Sequence, residues 1–474
     1  MLKTLRIQNF KGWKDTGEIK FAPITLFFGA NSSGKSSIGQ FLMMLKQTAE
    51  SSDRKSVFFL GGANSHVQLG SYQDVVYRHD LHNNIQFSYS WELPYKFEIR
   101  DVLKKSRPLD GNIIDFSAET EIDDDSLIPS VKEFRYKVIP SQSSENGVTV
   151  SLVREEKGGY SLQSENYTCV RATGRPWKLP STIRFYGFPD EANAYYQNTA
   201  FLQRLNLEQE YLFKHFFYLG PLRSKPGRIY TWPGNEPDGV GDNGENTVFA
   251  ILAAHDRKIN LGPKRRCKKF DEVIAGALKK LGLIDSFKIE NISEKEHRRE
   301  YEVVVQTKGS PDFVLLPDVG FGVSQVLPVL VACFYAPKNS IILMEQPEIH
   351  LHPAAQSALA DVMIDVINSR EDSEDRNIQL IIETHSEHFL RRLQRRIAED
   401  SELDEKKQFK NKVASYFVDT TMHPVSLKPL DIDLFGNITN WPQDFFGNEM
   451  EDISQQIVAS RKKRARLQSR GASK

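Results

Sequence analysis

The sequence predicts an α/β fold with a mixed, largely parallel core sheet and an antiparallel β lobe inserted into it. Residues 24–28, 340–345 and 379–383 are apolar runs that lead into polar residues, which is typical of buried parallel strands. Residues 84–188 instead form short alternating segments separated by Gly, Pro, Asn and Ser clusters, which indicates antiparallel sheet. Because the first apolar run lies far before the other two, a long insertion must split the core.

The chain is long enough for two or three domains or lobes, since 39% of its 474 residues are hydrophobic. Changes of pattern along the chain suggest their boundaries. We expect an N-terminal part of the core, the β-rich insertion lobe, a C-terminal part of the core and a C-terminal extension that is a possible partner contact, at 1–83, 84–210, 211–410 and 411–474.

Charge and apolar content limit the classes of function. The 62 basic and 62 acidic residues cancel, so DNA contact is possible only through local patches such as the basic runs 264–269 and 461–466. Such runs are usually a solvated surface. The most apolar later stretch, 326–336, is about half as long as a membrane span, and Lys3 and Arg6 interrupt any apolar leader. We therefore expect a cytoplasmic protein that makes no membrane contact, and the three well-separated cysteines indicate reduced thiols.

A glycine-rich turn follows the first predicted strand. Residues 29–36 spell G-x-x-x-x-G-K-S, a spacing in which the glycines let the backbone wrap around a phosphate where a Cβ would collide. The lysine would place a charge near the β- and γ-phosphates, the last serine would face Mg²⁺, and the following helix would direct its positive dipole end at the anion. The predicted nucleotide-binding residues of the turn are Gly29, Asn31, Ser32, Ser33, Gly34, Lys35, Ser36 and Ser37.

Three further signals follow this motif in order. Ser324 lies in a glycine turn before a buried helix, Glu345 ends an apolar strand, and His385 lies at the end of the next one. Together with the opening residues 2–13, this order resembles the ATP-binding-cassette (ABC-type) ATPases of the SMC, RecF and OLD-like branch. The resemblance implies an ABC-type P-loop ATPase head, with ATP and Mg²⁺ as cofactors.

The resemblance also implies a homodimer that clamps ATP between its two copies. Such dimers could in turn assemble into a higher oligomer. Gly322, Ser324 and Gln325 would then reach across the dimer to the γ-phosphate on the other copy's loop. A helix start suits this task because it supplies backbone amides and a hydroxyl.

The resemblance further assigns the metal site. Ser36 would hold Mg²⁺ directly and Glu345 would hold it through water, while a glutamine in the loop before the insertion would touch the metal. Gln68 and Gln73 both qualify, and we favour Gln73. His385 would sense the γ-phosphate.

One position departs from the pattern of the family. Most cassette ATPases follow the metal-side acid with a glutamate that positions the attacking water, whereas this chain has Gln346. An amide can orient water but cannot accept its proton, and a general base typically contributes ~10²–10⁴-fold in rate. Either Glu348 takes this role, or hydrolysis is slow and bound ATP is mainly structural; we expect slow hydrolysis. The candidate catalytic residues are thus Glu345, Gln346, Glu348 and His385.

Two histidine groups have an alternative interpretation as metal ligands. His350 and His352 lie close enough to form a pair, but the proline that follows favours a loop leading to the dimer face. Glu383 and His388 flank His385 and would suggest zinc, yet a switch histidine at the mouth of an apolar strand is the better interpretation.

The phrases YLGPLR (218–223) and EQPEIHLHP (345–353) narrow the resemblance to stand-alone bacterial ATPases. A terminal WP-x-x-FF motif belongs to the same pattern: Trp441, Pro442, Phe445 and Phe446. Several such proteins resemble the ATPase subunit of two-component anti-phage systems such as Septu. This implies an ATP-gated scaffold or sensor that binds and regulates a separate HNH-type nuclease subunit.

Other members of the branch fit less well. Fewer than ninety residues follow His385, which leaves no room for the nuclease domain of OLD-like proteins, and the insertion lacks the heptad coils of SMC proteins. The alternative function is that of a RecF-like DNA repair or recombination ATPase acting directly on DNA. A transporter motor is disfavoured, because such subunits are much shorter and carry a different signature turn.

Overall fold

The structure is a computed structural model that describes residues 1–101, 109–122, 128–140, 147–156, 158–174, 178–262, 265–293, 299–421, 423–442 and 454–461. Phe445 and Phe446 of the terminal motif, and all of the basic run 461–466 except Arg461, lie outside these ranges. Within the ranges, none of the helices has the length and apolar character that crossing a membrane requires.

The chain begins in an eight-stranded antiparallel sheet. Its strands are β1 (Leu2–Phe10), β2 (Trp13–Asp15), β3 (Ile19–Lys20), β5 (Gln86–Ile99), β6 (Leu109–Ile122), β7 (Pro129–Pro140), β8 (Val148–Arg154) and β9 (Tyr160–Glu165). They follow the order β2-β1-β5-β6-β7-β8-β9, with β3 also paired to β1. The sheet therefore joins residues 2–20 to strands of the predicted insertion, with β5 and β1 pairing in antiparallel register.

A six-stranded sheet contains the strand that leads into the glycine-rich turn. Its strands are β4 (Ile24–Gly29), β10 (Phe216–Leu219), β17 (Ile341–Glu345), β20 (Gln379–Glu383), β21 (Val413–Asp419) and β22 (Ser426–Pro429). Their order in space is β10-β17-β20-β4-β21-β22, and only the last pair is antiparallel. The carboxyl ends of β4, β17 and β20 consequently meet at one edge.

Helices lie on both sides of this sheet, some against its strands and others against neighbouring helices and smaller strands. They are α1 (Lys35–Glu50), α2 (Tyr72–Val75), α3 (Glu191–Tyr195), α4 (Phe201–Lys214), α5 (Thr247–Ala253), α6 (Phe270–Lys280), α7 (Phe321–Tyr335), α8 (Pro353–Ile367) and α9 (Glu387–Ala398). Single 3₁₀ turns cover Tyr77–His79, Leu316–Asp318 and Phe409–Lys412.

Alternation along the parallel strands divides the apolar interior into two clusters. In β4, Phe27 joins a cluster with α1, α4 and the antiparallel sheet, whereas Leu26 and Phe28 join a cluster with α5 to α9. The helix α1 thus lies between the two large sheets. Gly39 permits this close packing, because a Cβ there would lie 3.1 Å from a methyl of Leu343 on β17.

Smaller strands complete the description. A four-stranded sheet contains β11 (Tyr230–Thr231), β14 (Ile284–Asn291), β15 (Glu300–Thr307) and β16 (Phe313–Leu315). Two short ribbons pair β12 (Lys258–Ile259) with β13 (Lys268–Lys269) and β18 (Arg370–Glu371) with β19 (Glu374–Asp375).

Candidate functional site

The glycine-rich turn, the start of α1 and the ends of β17 and β20 surround a cavity of about 470 Å³. Its lining residues are Asn31, Ser32, Ser33, Gly34, Lys35, Ser36, Ser37, Gln40, Gln346, Glu383 and His385. The turn predicted from the local motif and two strand ends that are distant in sequence therefore face the same space.

The turn has the backbone that the motif requires. Gly34 caps α1 with a φ of 101°, and no side chain among the described residues caps this helix end. Gly29 has a φ of 149°, and a Cβ there would lie 2.9 Å from the Ser33 hydroxyl oxygen. That hydroxyl is buried without a hydrogen-bond partner in the described residues. The turn thus directs uncapped helix amides and one unpaired hydroxyl at the region where an anion would bind.

The Lys35 ammonium is folded back over the turn. It donates hydrogen bonds to the carbonyl oxygens of Gly29 at 3.0 Å and Ala30 at 2.7 Å, and lies 4.0 Å from Glu383 Oε1. Burial lowers the pKa of Lys35, while the charge of Glu383 opposes this shift. A bound phosphate would replace the two contacts to neutral carbonyls with a stronger contact between opposite charges.

Glu383 is the carboxylate that faces the turn. Its Oε1 accepts a hydrogen bond from the Ser36 hydroxyl at 3.0 Å, and its side chain lines the cavity. Burial, reinforced by the neighbouring charge of Glu345, raises the pKa of Glu383 to about 7. The sequence suggests Glu383 only as part of a zinc set, yet it is a carboxylate that ends an apolar strand, which is the same signal that identifies Glu345.

Glu345 lies beside Glu383 but faces other partners. The two residues are in register on neighbouring parallel strands. The Tyr218 hydroxyl donates to Glu345 Oε1 at 2.8 Å, and the Arg223 guanidinium donates to the Glu345 backbone carbonyl at 3.1 Å. Burial raises the pKa of the Glu345 carboxyl. Glu345 is not one of the residues that line the cavity.

Arg223 and Tyr218 come from the YLGPLR phrase, whose role the sequence did not indicate. Arg223 is 8% exposed, and its Nε and Nη1 atoms have no hydrogen-bond partner in the described part of the chain. Burial lowers the pKa of Arg223 to about 10, although the charges of Tyr218, Glu345 and Glu348 oppose the shift. The phrase therefore surrounds the Glu345 end of β17 with one hydroxyl and one buried cation.

Gln346 and Glu348 occupy different environments. Gln346 lines the cavity, and its backbone N–H donates to the Glu383 backbone carbonyl at 2.8 Å. Glu348 is 6% exposed and outside the cavity lining; its Oε1 accepts from the Thr384 hydroxyl at 2.6 Å and the His385 amide at 2.9 Å. Burial raises the pKa of Glu348 against the effect of these hydrogen bonds. Glu348 thus holds the backbone at His385 in place.

His385 extends into the cavity from the end of β20. Its side chain is exposed, and partial desolvation, together with the charge of Lys35, lowers the pKa of its imidazole. The ring is therefore neutral over more of the physiological pH range than a free histidine, and can donate one hydrogen bond and accept another.

The structure does not bring the predicted glutamines to the cavity. Gln73 is exposed on α2 and its amide donates to the His79 carbonyl at 3.4 Å, while Gln68 donates to the Gly62 carbonyl at 3.1 Å. Gln40 on α1 does line the cavity, where its side-chain oxygen accepts from Lys11. Placement of Gln73 depended on how the loop after α1 folds, which no local pattern determines.

The predicted signature turn lies at the start of α7, away from the cavity of its own chain. Phe321 is 66% exposed there, and its ring centroid lies 6.0 Å from that of His350. Ser324 is 8% exposed and its hydroxyl donates to the Phe321 carbonyl at 3.0 Å; Gln325 is also buried, and Gly322 is partly exposed. The outward surface of this turn is thus formed by Phe321 and the helix amides, with the Ser324 hydroxyl turned inward.

No three His, Cys, Asp or Glu side chains come together as a metal-ion group in the ranges that the structure describes. Both His350–His352 and the Glu383–His385–His388 set lie within those ranges. Neither alternative interpretation as a zinc site gains support.

The residues at the cavity fit a nucleotide with a divalent cation. The unpaired Ser33 hydroxyl, the uncapped start of α1 and the Lys35 ammonium are donors suited to phosphate oxygens. The Ser36 hydroxyl and the Glu383 carboxylate supply oxygen ligands of the kind that Mg²⁺ prefers.

Comparison with known proteins gives one family for most of the chain. A family model described as an AAA ATPase domain matches residues 1–164 and 263–390, which is more than half of the sequence. A second model, described as a protein of unknown function (DUF3696), matches residues 410–456. No curated protein matches the chain.

Several solved structures are similar to the chain at low identity. An SMC head domain from Thermotoga maritima is 11% identical, with coverage of 91% of this chain and 99% of that chain and a TM-score of 0.39. An Smc head domain with an extended coiled coil bound to the C-terminal domain of ScpA, derived from Pyrococcus furiosus, is 10% identical, with coverage of 96% and 99% and a TM-score of 0.37.

Proposed function

The chain belongs to the AAA ATPase domain family, and we propose from this premise that it binds Mg²⁺-ATP in the cavity above α1 and uses the nucleotide to join two copies of itself. The observation that carries the proposal is the convergence at one cavity of the G-x-x-x-x-G-K-S turn, a carboxylate bonded to Ser36, and Gln346 and His385 opposite them. These groups come from three adjacent parallel strand ends.

Each side chain has a task toward the nucleotide. Lys35 leaves the carbonyls of Gly29 and Ala30 and contacts the terminal phosphates, while the start of α1 and the Ser33 hydroxyl donate to the phosphate oxygens. Ser36 and the carboxylate at the end of β20 would hold the cation, which neutralises charge on the phosphates. His385 contacts the γ-phosphate from the opposite wall.

We propose that hydrolysis is slow. Gln346, the residue directly after β17, lines the cavity. Its side-chain amide can orient a water molecule but cannot accept its proton. Glu348 is committed to Thr384 and to the His385 amide and therefore acts as a positioning residue. Steady-state turnover of the purified chain should lie below about one per second, the low end of the usual enzyme range. Turnover of several per second would contradict this part of the proposal.

In the proposed dimer, the outward surface of the signature turn faces the nucleotide of the second copy. The amides at the start of α7, including that of Gly322, meet the γ-phosphate first. The Ser324 hydroxyl joins them by rotating away from the Phe321 carbonyl that it now contacts.

We further propose that the nucleotide-bound dimer holds and restrains a separate HNH-type nuclease in a two-component anti-phage system. The support is the motif resemblance through YLGPLR, EQPEIHLHP and the WP-x-x-FF ending. The test is co-expression with the nuclease encoded beside this gene, followed by affinity purification with ATPγS or ADP. Retention of the nuclease in only one nucleotide state supports the role. Tight, salt-sensitive DNA binding by the chain alone, without a nuclease partner, would instead favour DNA repair.

The binding proposal has a direct test. Fluorescent ATP should bind the full chain with a stoichiometry of one per copy, and unlabelled ATP should displace it. Absence of any displaceable binding, with and without Mg²⁺, would overturn the proposal.

A further inference from the structure

The two acids that end β17 and β20 are a matched pair with different surroundings. Glu345 and Glu383 are in register on adjacent parallel strands, so their side chains leave the same face of the sheet, toward α1. Both extend apolar strands whose preceding residues are buried. The position of a cation relative to this pair depends on which carboxylate faces the oxygen ligands of the turn.

The two carboxylates differ in their hydrogen-bond partners. Glu383 Oε1 lies 3.0 Å from the Ser36 hydroxyl and 4.0 Å from the Lys35 ammonium, and the side chain lines the cavity. Glu345 Oε1 instead accepts a 2.8 Å hydrogen bond from the Tyr218 hydroxyl on β10, the edge strand on the far side. Tyr218 thus keeps Glu345 directed away from the turn.

The Ser36–Glu383 separation suits a shared hard cation. Mg²⁺ binds oxygens at 2.0–2.1 Å in octahedral geometry, so two adjacent ligands lie about 2.9 Å apart. The observed 3.0 Å between the Ser36 and Glu383 oxygens is close to this value. A cation between the two oxygens would require little movement of either side chain, because the Ser36 hydroxyl would coordinate through a lone pair and turn its hydrogen outward.

We propose that Glu383, together with Ser36, binds the divalent cation that accompanies the nucleotide, while Glu345 is held outside the coordination sphere by Tyr218. This assignment rests on the proposed nucleotide binding and replaces Glu345 and Gln73 as the cation's protein ligands. Glu345 then influences the cation only through its charge.

The test compares Glu383→Gln with Glu345→Gln in the full chain. Both variants replace a buried carboxyl group with an amide of nearly the same shape, so each is the control for the other. The first readout is the affinity of Mn²⁺ for the protein with saturating ATPγS, measured by electron paramagnetic resonance. The second is the affinity of fluorescent ATP in EDTA, which reports nucleotide binding without a cation.

The proposal predicts that Glu383→Gln weakens Mn²⁺ at least about tenfold, whereas Glu345→Gln changes it less than about threefold. In EDTA, Glu383→Gln should bind nucleotide as well as the wild type or better, because a negative charge near the phosphates is gone. If Glu383 is a cation ligand, Glu383→Gln therefore weakens Mn²⁺ binding without weakening nucleotide binding in EDTA.

Three results would overturn it. A larger Mn²⁺ loss in Glu345→Gln would make Glu345 the ligand. An equal loss of nucleotide affinity in EDTA and in Mn²⁺ for Glu383→Gln would show a merely structural role. If the wild type itself bound no nucleotide in EDTA or Mn²⁺, the proposed function would fail, and the cation assignment with it.

Discussion

The six-stranded and the eight-stranded sheets distribute their polar side chains in different ways. In the six-stranded sheet, parallel strands finish at one edge, so Gly29, Glu345 and Glu383 become neighbours although they are far apart in sequence. In the eight-stranded sheet, neighbouring strands finish at opposite edges. Its charged residues pair locally along the outer surface instead, as Lys132 does with Glu119 on the adjacent strand.

This difference shows how one chain separates binding chemistry from packing. The antiparallel sheet presents aromatic rings to α1: Phe41 of that helix meets Phe87 edge to face, with the ring centroids 5.1 Å apart. The parallel sheet presents the strand ends at which α1 begins. We infer that substitutions in the aromatic cluster change stability, while substitutions at the strand ends change nucleotide chemistry.

The largest expected effect lies in the aromatic cluster. Phe116 is 1% exposed, and its ring centroid lies 4.8 Å from Tyr136 and 5.2 Å from Tyr89. Phe116→Ala should lower the free energy of unfolding by about 3–5 kcal/mol, because it leaves a cavity in a packed core. Urea denaturation measures the loss, and nucleotide affinity of the folded variant should stay unchanged.

The control for this substitution is Lys137→Ala, an exposed position on β7 in the same sheet. Its free energy of unfolding should stay within about 0.5 kcal/mol of the wild type. Loss of nucleotide binding in folded Phe116→Ala would show that the aromatic cluster also determines nucleotide binding, contrary to the roles inferred for the two sheets.

The next effect concerns the turn. Lys35→Ala should weaken ATP by about 3 kcal/mol, roughly a hundredfold, because a hydrogen-bonded charge on the phosphates is lost. Stability should change little or rise, since a desolvated ammonium is removed. Fluorescence titration and thermal unfolding measure the two quantities, and unaltered ATP affinity would refute the assigned role of Lys35.

A smaller effect is expected at Gln346, the residue proposed to orient the attacking water. Gln346→Glu should raise ATP turnover by about tenfold, below the ~10²–10⁴-fold of an optimised general base, because the surrounding residues were not selected for a carboxylate. Phosphate release under saturating ATP measures it. The matched control, Glu348→Gln, should not raise turnover, since Glu348 contacts Thr384 and His385 rather than the cavity. Faster turnover in the control would contradict this division of roles.

The smallest effect lies at the far end of α1. His66 bonds to Asp242 at 2.8 Å and to Glu50 at 3.4 Å; burial and the charge of Lys46 oppose protonation, but these hydrogen bonds raise the pKa of His66 to about 9. Since the folded pKa exceeds the unfolded value of 6.5, the stabilisation is complete below pH 6.5 and is lost as the pH rises through 9.

Wild type should therefore exceed His66→Gln in stability by about 1 kcal/mol at pH 6, a value reduced for partial solvent screening. The difference should shrink toward pH 9.5. Urea denaturation across this range measures it, and a difference independent of pH would exclude the charged interaction.

Local motifs predicted part of this arrangement. The apolar run 24–28 and the spacing of residues 29–36 are enough to predict a strand, a phosphate turn and a helix from Lys35, because each feature depends on neighbours in sequence. The apolar run before Glu345 likewise predicts a strand end in an acid. These features need no knowledge of the order of strands in the sheet.

The rest depends on contacts between distant segments. That β20 lies between β4 and β17, and so brings Glu383 to Ser36, follows from strand order, which no motif encodes. The same holds for Tyr218 from β10 at the Glu345 carboxylate, and for Gln73, which the loop fold leaves outside the cavity. The predicted domain boundaries and the roles assigned to the signature turn stay predictions.

In the proposed dimer, the start of α7 of one copy clamps the nucleotide in the cavity of the other. Sedimentation velocity of the full chain is measured with Mg²⁺ and, in separate samples, no nucleotide, ADP or ATPγS. We expect dimers with ATPγS alone, and we expect Phe321→Asp to abolish them, because it places a negative charge at an exposed position of the turn without altering the cavity. A chain that binds ATPγS yet sediments as a monomer, or forms dimers that Phe321→Asp leaves intact, would rule out this clamp.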